Sequence, residues 1–150
     1  MDVLTLLRSK NRYLRRFEQA SLRFLDETRD DLPHADFVAR LNRLETSRDR
    51  ILKALGLFNR KLTESIESLP SSSRAMHDEA FIAQARQETD ESDRLVERLA
   101  ELDAGISLRI RSCQDRLALE LAASEKSKRI INQFKSSWAS GAGEELDRTL

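Results

Sequence analysis

Three side chains could carry chemistry of their own: His34, His77 and Cys113, the two imidazoles and the single thiol of the chain. Imidazoles ligate transition metals or move protons near neutral pH, and a thiolate is a nucleophile. Their spacing supports none of these roles. Neither histidine stands in the Glu-x-x-His repeat that builds di-iron centres in helical bundles, nor in the His-Glu-x-x-His of zinc proteases. His77 precedes Asp78 and Glu79, but adjacent residues on a helix point apart, so an ordinary surface histidine is expected. Cys113 falls on an apolar stripe, where a thiol behaves as a small hydrophobe. Glycine-rich phosphate loops, serine elbows and paired catalytic carboxylates are absent from the sequence. No enzyme, metal or cofactor is expected.

The elements that hold these residues follow from composition. Ala, Glu, Lys, Leu and Arg supply 78 of 150 residues, while Gly and Pro together number 6. That balance favours long helices and leaves too little turn chemistry for sandwiches, barrels or doubly wound sheets. Basic and acidic residues are equal at 26 each, so no net field favours nucleic acid or an anionic membrane. No apolar run approaches the ~20 residues needed to span a bilayer. The start, Met1-Asp2-Val3-Leu4-Thr5-Leu6-Leu7-Arg8, lacks the basic region of a signal peptide. A lone cysteine forms no internal disulfide. Cytoplasmic location is the expectation.

Helical periodicity organises nearly the whole chain. From Val3 to about Arg29, Leu7, Leu14, Phe17 and Phe24 form a stripe flanked by Leu6, Tyr13 and Leu25, with Lys10 and Ser21 in its remaining positions. Arg8, Arg12, Arg15 and Arg23 occupy the opposite, solvated face. Leu32-Pro33 predicts a turn, with Asp31 or Asp36 able to cap the next helix. Phe37, Leu41, Leu44, Ile51, Leu55, Phe58, Leu62, Ile66 and Leu69 then share one face. Arg48 is the polar exception in that stripe, and Gly56 marks either a bend or a close crossing.

Leu69-Pro70-Ser71-Ser72-Ser73 predicts the second turn. Residues 74–90 form either a short separate helix or the start of a longer one. Val96, Leu99, Ile106, Ile110, Cys113, Leu117, Ser124, Ile131, Phe134 and Trp138 continue a stripe, supplemented by Leu95, Leu102 and Leu121. Gly141 and Gly143 are expected to end the helix. The predicted architecture is an elongated all-α antiparallel bundle of three long helices, a single domain over residues 1–138 with a flexible C-terminal tail over 139–150. Leu41, Leu44, Ile51, Leu55, Phe58, Leu99, Ile106, Ile110, Cys113 and Leu117 are expected in its core.

Charge is uneven along the last helix. Arg74 to Asp103 holds four basic and nine acidic residues, whereas Ala104 to Trp138 holds seven basic and three acidic. The positive end also concentrates Ile130, Ile131, Phe134 and Trp138, with Lys126, Lys128, Arg129 and Lys135 around them. Two accounts stand open: the first two helices cover this apolar cluster, or it is a docking surface whose basic rim meets an acidic partner.

The segment from Leu95 to Asp103, then Ile106, Ile110, Leu117, Glu120-Leu121 and Lys126 to Lys135, resembles the last helix of the flagellar type III export chaperones of the FlgN and FliT type. Phe37 to Leu55, with Arg48 ahead of the Ile51-Leu52 pair, resembles their second helix. Phe134 stands where that family commonly has a tyrosine, and Ser71 to Glu91 has no clear counterpart. The resemblance implies a cytoplasmic chaperone that keeps hook-associated or filament-cap subunits soluble and delivers them to the export apparatus. Its client would be an amphipathic helix of a flagellar axial protein, and a membrane protein of the export gate would be a second partner. Ile130, Ile131, Phe134, Trp138, Lys128, Arg129 and Lys135 would form the partner-binding surface. The alternative is a structural coiled-coil adaptor acting by self-assembly, with monomer and homodimer both open. A nucleic-acid binder using the arginines of the first helix is the third class, disfavoured by zero net charge.

Overall fold

The computed structural model describes residues 2–68 and 79–149, with side chains described as far as residue 136. The described residues form an all-α helical bundle of α1 (Val3–Glu27), α2 (His34–Glu67) and α3 (Glu79–Thr149), with no strand among them. Two compact units divide the chain, Met1–Arg109 and Ile110–Leu150.

Within the first unit, α1 is the central element. Its start is fixed by Asp2, whose side chain accepts the Thr5 backbone N–H at 2.7 Å and satisfies one of the orphan donors of the first turn. Leu6, Leu14, Phe17 and Phe24 are buried along it. Leu6, expected at the flank, is deeper than Leu7. The most enclosed polar groups are Asn11 and Ser21, both fully buried. At the far end Thr28 caps the helix, and its hydroxyl donates to the Phe24 carbonyl.

No basic residue occupies the last turn of α1, so its exposed carbonyls and negative dipole end lack a local cation. Arg109 of α3 supplies one. Its guanidinium donates to the carbonyls of Leu25 and Thr28 and to the Thr28 hydroxyl.

The connection through Leu32-Pro33 reverses the chain, as expected, but the cap differs from the expected aspartate. Pro33 takes the N-cap position of α2 without a side-chain cap hydrogen bond, and its carbonyl accepts the Asp36 and Phe37 N–H groups. Asp36 lies in the first turn, where negative charge suits the helix dipole. Antiparallel packing of α1 on α2 is marked by Phe24 against Phe37, ring centroids 5.7 Å apart, and by Tyr13 against Phe58 at 5.3 Å.

Leu44, Ile51 and Ile106 are buried as expected. Leu41, Leu55, Phe58 and Leu99 are only half-buried, because a three-helix unit with few apolar residues encloses a narrow seam. Arg48 sits over the Phe17 ring, 5.5 Å from its centroid, and reaches Asp103 at 3.4 Å. The polar exception of α2 therefore touches both other helices. Gly56 marks no close crossing: a methyl group there would meet nothing within 4 Å.

The seam of α3 differs by one residue from the expected one. Ser92, Leu95, Leu102 and Ile106 are buried, while Val96 is 53% exposed. The Leu95–Leu102–Ile106 series keeps 3–4 spacing with Ser92, so two of the residues read as supplements, Leu95 and Leu102, belong to the core, while the third, Leu121, is exposed. The helix runs without interruption through the polar stretch 87–93, which makes residues 79–90 the start of the long helix. It also continues through Gly141 and Gly143 to Thr149. A helical glycine costs ~1 kcal/mol but forbids nothing. The predicted turn at Leu69–Ser73 lies outside the described residues. In the second unit Cys113 is buried, Ile110 and Leu117 are half-buried, and every described side chain from 118 to 136 is exposed.

Candidate functional site

The reactive residues are placed apart. His34 is the exposed first residue of α2, Cys113 is buried on α3, and His77 lies outside the described residues. Among the described residues no three His, Cys, Asp or Glu side chains group to hold a metal, and no helix is long and apolar enough to cross a membrane.

The arginines of α1 do not form one solvated face. Arg8 pairs with Glu88 at 3.3 Å and Arg15 with Glu91 at 3.0 Å, while Glu18 meets Arg98 at 3.8 Å. The acidic first half of α3 thus neutralises one flank of α1. Beneath these pairs lies a buried polar layer. The Asn11 amide donates to the Glu88 carbonyl at 2.9 Å and to its carboxylate at 2.8 Å, and the Ser92 hydroxyl donates to Asn11 Oδ1. Sequence spacing gave no sign of this layer, because its members lie about eighty residues apart. All these contacts run in the same order along α1 and α3, so the two helices are parallel neighbours, as an up-down-up bundle requires.

The apolar and basic cluster predicted for partner binding belongs to the second unit. Ile130, Ile131 and Phe134 are 57%, 50% and 66% exposed. Lys126, Lys128, Arg129 and Lys135 are exposed among them. Ile130 and Phe134 are one turn apart, and Ile131 lies three residues before Phe134, so the three share a contiguous helical surface. Leu121, 57% exposed, lies two to three turns earlier on the stripe that carries Ile131. The Trp138 side chain is outside the described set. Three large apolar side chains in one basic helical segment are suited to hydrophobic docking with a charged rim; they offer no group for bond-making chemistry.

No family model, curated protein or solved structure matches the chain.

Proposed function

We propose that this protein is a cytoplasmic flagellar export chaperone, binding hook-associated or filament-cap subunits and delivering them to the type III export apparatus. The observation that carries the reading is the exposed Ile130, Ile131 and Phe134 cluster set among Lys128, Arg129 and Lys135. Free axial subunits present amphipathic helices that aggregate. A helical surface with apolar anchors and a basic rim captures such a segment by burying its apolar face and pairing its acidic groups. The pattern of the second and last helices, which resembles the export chaperones, supplies the biological context. Phe134 and Trp138 serve as the aromatic anchors, a residue type that commonly carries ~2 kcal/mol or more at an interface centre.

The test is the double substitution Phe134→Ala with Trp138→Ala. Circular dichroism reads helicity, and calorimetric titration reads affinity for a purified hook-associated subunit. Retained helicity with at least tenfold weaker binding supports the proposal. Unchanged affinity refutes it, and loss of helicity assigns these side chains to packing. If the wild-type chain ignores every axial subunit but self-associates through the same residues, the adaptor reading replaces it.

A further inference from the structure

We propose that the outer groove between α1 and α2 is a docking site for an acidic amphipathic helix of a partner protein. This inference concerns the first unit alone and does not rest on the export-chaperone reading. A recess of about 450 Å³ opens between the two helices. Ala20, Ser47 and Ala54 are too small to close it, Tyr13 and Ile51 give it an apolar floor, and Arg16 and Arg50 stand on its opposite rims. A second recess shares Ala20 and Ser47 and extends the depression toward Phe24, Leu44 and Arg43.

Charge selects the occupant. Arg16, Arg43 and Arg50 have no carboxylate within ion-pair distance among the described residues, and Arg16 instead lies 5.1 Å from the Tyr13 ring centroid. The one carboxylate lining either recess, Glu27, is already shared by Arg23 and Arg40 at 3.9 and 3.6 Å. The flank of α1 facing α3 is neutralised by Glu88 and Glu91. The groove between α1 and α2 therefore keeps uncompensated positive charge on both of its sides, unlike the flank of α1 that faces α3.

Arg16 and Arg23 are seven residues apart on α1, as are Arg43 and Arg50 on α2. Seven residues are two turns, so each pair stands along one rim at the spacing with which flanking charges choose partners in coiled coils. A helix with glutamates at seven-residue intervals beside a narrow apolar strip meets both rims and seats a side chain in the notch at Ala20, Ser47 and Ala54. Nucleic acid would use the arginines but leave the apolar floor unfilled.

The probe is a labelled three-heptad peptide with leucine in its seam and glutamate on both flanks, titrated into the full chain by fluorescence anisotropy. A peptide with lysine replacing glutamate and a labelled single-stranded RNA serve as comparisons. The glutamate peptide is expected to bind, and Arg16→Glu with Arg50→Glu to weaken it at least tenfold while the lysine peptide gains affinity for that variant. Both substituted side chains are exposed, so helicity by circular dichroism should be retained. In the Phe134→Ala, Trp138→Ala protein the glutamate peptide should still bind, and adding Arg16→Glu with Arg50→Glu should still weaken it at least tenfold, which separates this site from the one in the second unit. Absence of glutamate-peptide binding, equal binding of both peptides, or RNA binding in place of peptide binding overturns the proposal.

Discussion

Replacing Asn11 with alanine tests the buried polar layer directly. The wild-type amide is fully buried and makes three hydrogen bonds, donating to the Glu88 carbonyl and carboxylate and accepting from Ser92. Neutral bonds contribute about 1 kcal/mol each and a bond to an ionised group about 1.5–3 kcal/mol. Two effects reduce the loss. The Glu88 side chain is 22% exposed and can turn to water, and the Ser92 hydroxyl, released from Asn11, can give its single proton to the Glu88 carbonyl 3.1 Å away. The cavity left by the shorter side chain adds to it. Asn11→Ala is therefore expected to cost about 2–4 kcal/mol. Urea unfolding followed by circular dichroism measures this as a lower midpoint with an unchanged slope. The Asn11→Ala, Ser92→Ala double-mutant cycle should show a coupling of about 1 kcal/mol. A single-mutant loss below ~1 kcal/mol with no coupling would mean that the layer is hydrated and contributes little.

Two further outcomes are expected. Gly56→Ala should stabilise the protein by about 0.5–1 kcal/mol, since the new methyl meets no atom and the unfolded chain loses freedom; a lower thermal midpoint would place Gly56 at a bend after all. At the start of α1, the hydrogen bonds from the Thr5 backbone and side chain hold the Asp2 carboxyl below the usual carboxylate range, with Arg8 adding to the effect. The folded value lies below the unfolded one, so this contribution is complete above the ordinary aspartate range and is lost as pH falls through the lowered folded value. Protection of the Thr5 amide from hydrogen exchange should fall over that acidic window, and Asp2→Asn, which keeps an acceptor without a titrating proton, should remove the transition.

The helices and much of their apolar seam were legible because period alone identifies them. Leu14, Phe17, Phe24, Leu44 and Ile51 recur at helical spacing and are buried. The shift from Val96 to Leu95 was not legible, since two adjacent aliphatic residues fit a stripe equally well until Ser92 fixes its phase. Ser92 is polar and gives no hydrophobic signal. Asn11 was hidden for the same reason: its partners, Glu88 and Ser92, lie on another helix. The split of the α1 arginines needed α3 beside them: Arg8 has no acidic residue one turn away on its own helix, and Arg15 pairs with Glu91 of α3 although Glu18 lies three residues on. The cluster at Ile130, Ile131 and Phe134 was readable as an apolar and basic segment. The α1–α2 groove was not, because alanine and serine at Ala20, Ser47 and Ala54 look unremarkable until two helices meet.

The parallel placement of α1 and α3 bears on how the molecule assembles in time. Packing of α1 on α2 joins residues close in sequence, such as Phe24 and Phe37, and closes a short loop. Bonds between α1 and α3 join residues 76 to 84 positions apart and must first close a chain segment of that length. Loop-closure entropy therefore favours the α1–α2 hairpin as the early structure and docking of α3 as the late step. Until that step, the Asn11 amide and the carbonyls at the end of α1 remain hydrated. The α1–α2 hairpin consequently carries the earlier kinetic information, while Glu88, Ser92 and Arg109 act chiefly on the rate at which the finished unit comes apart.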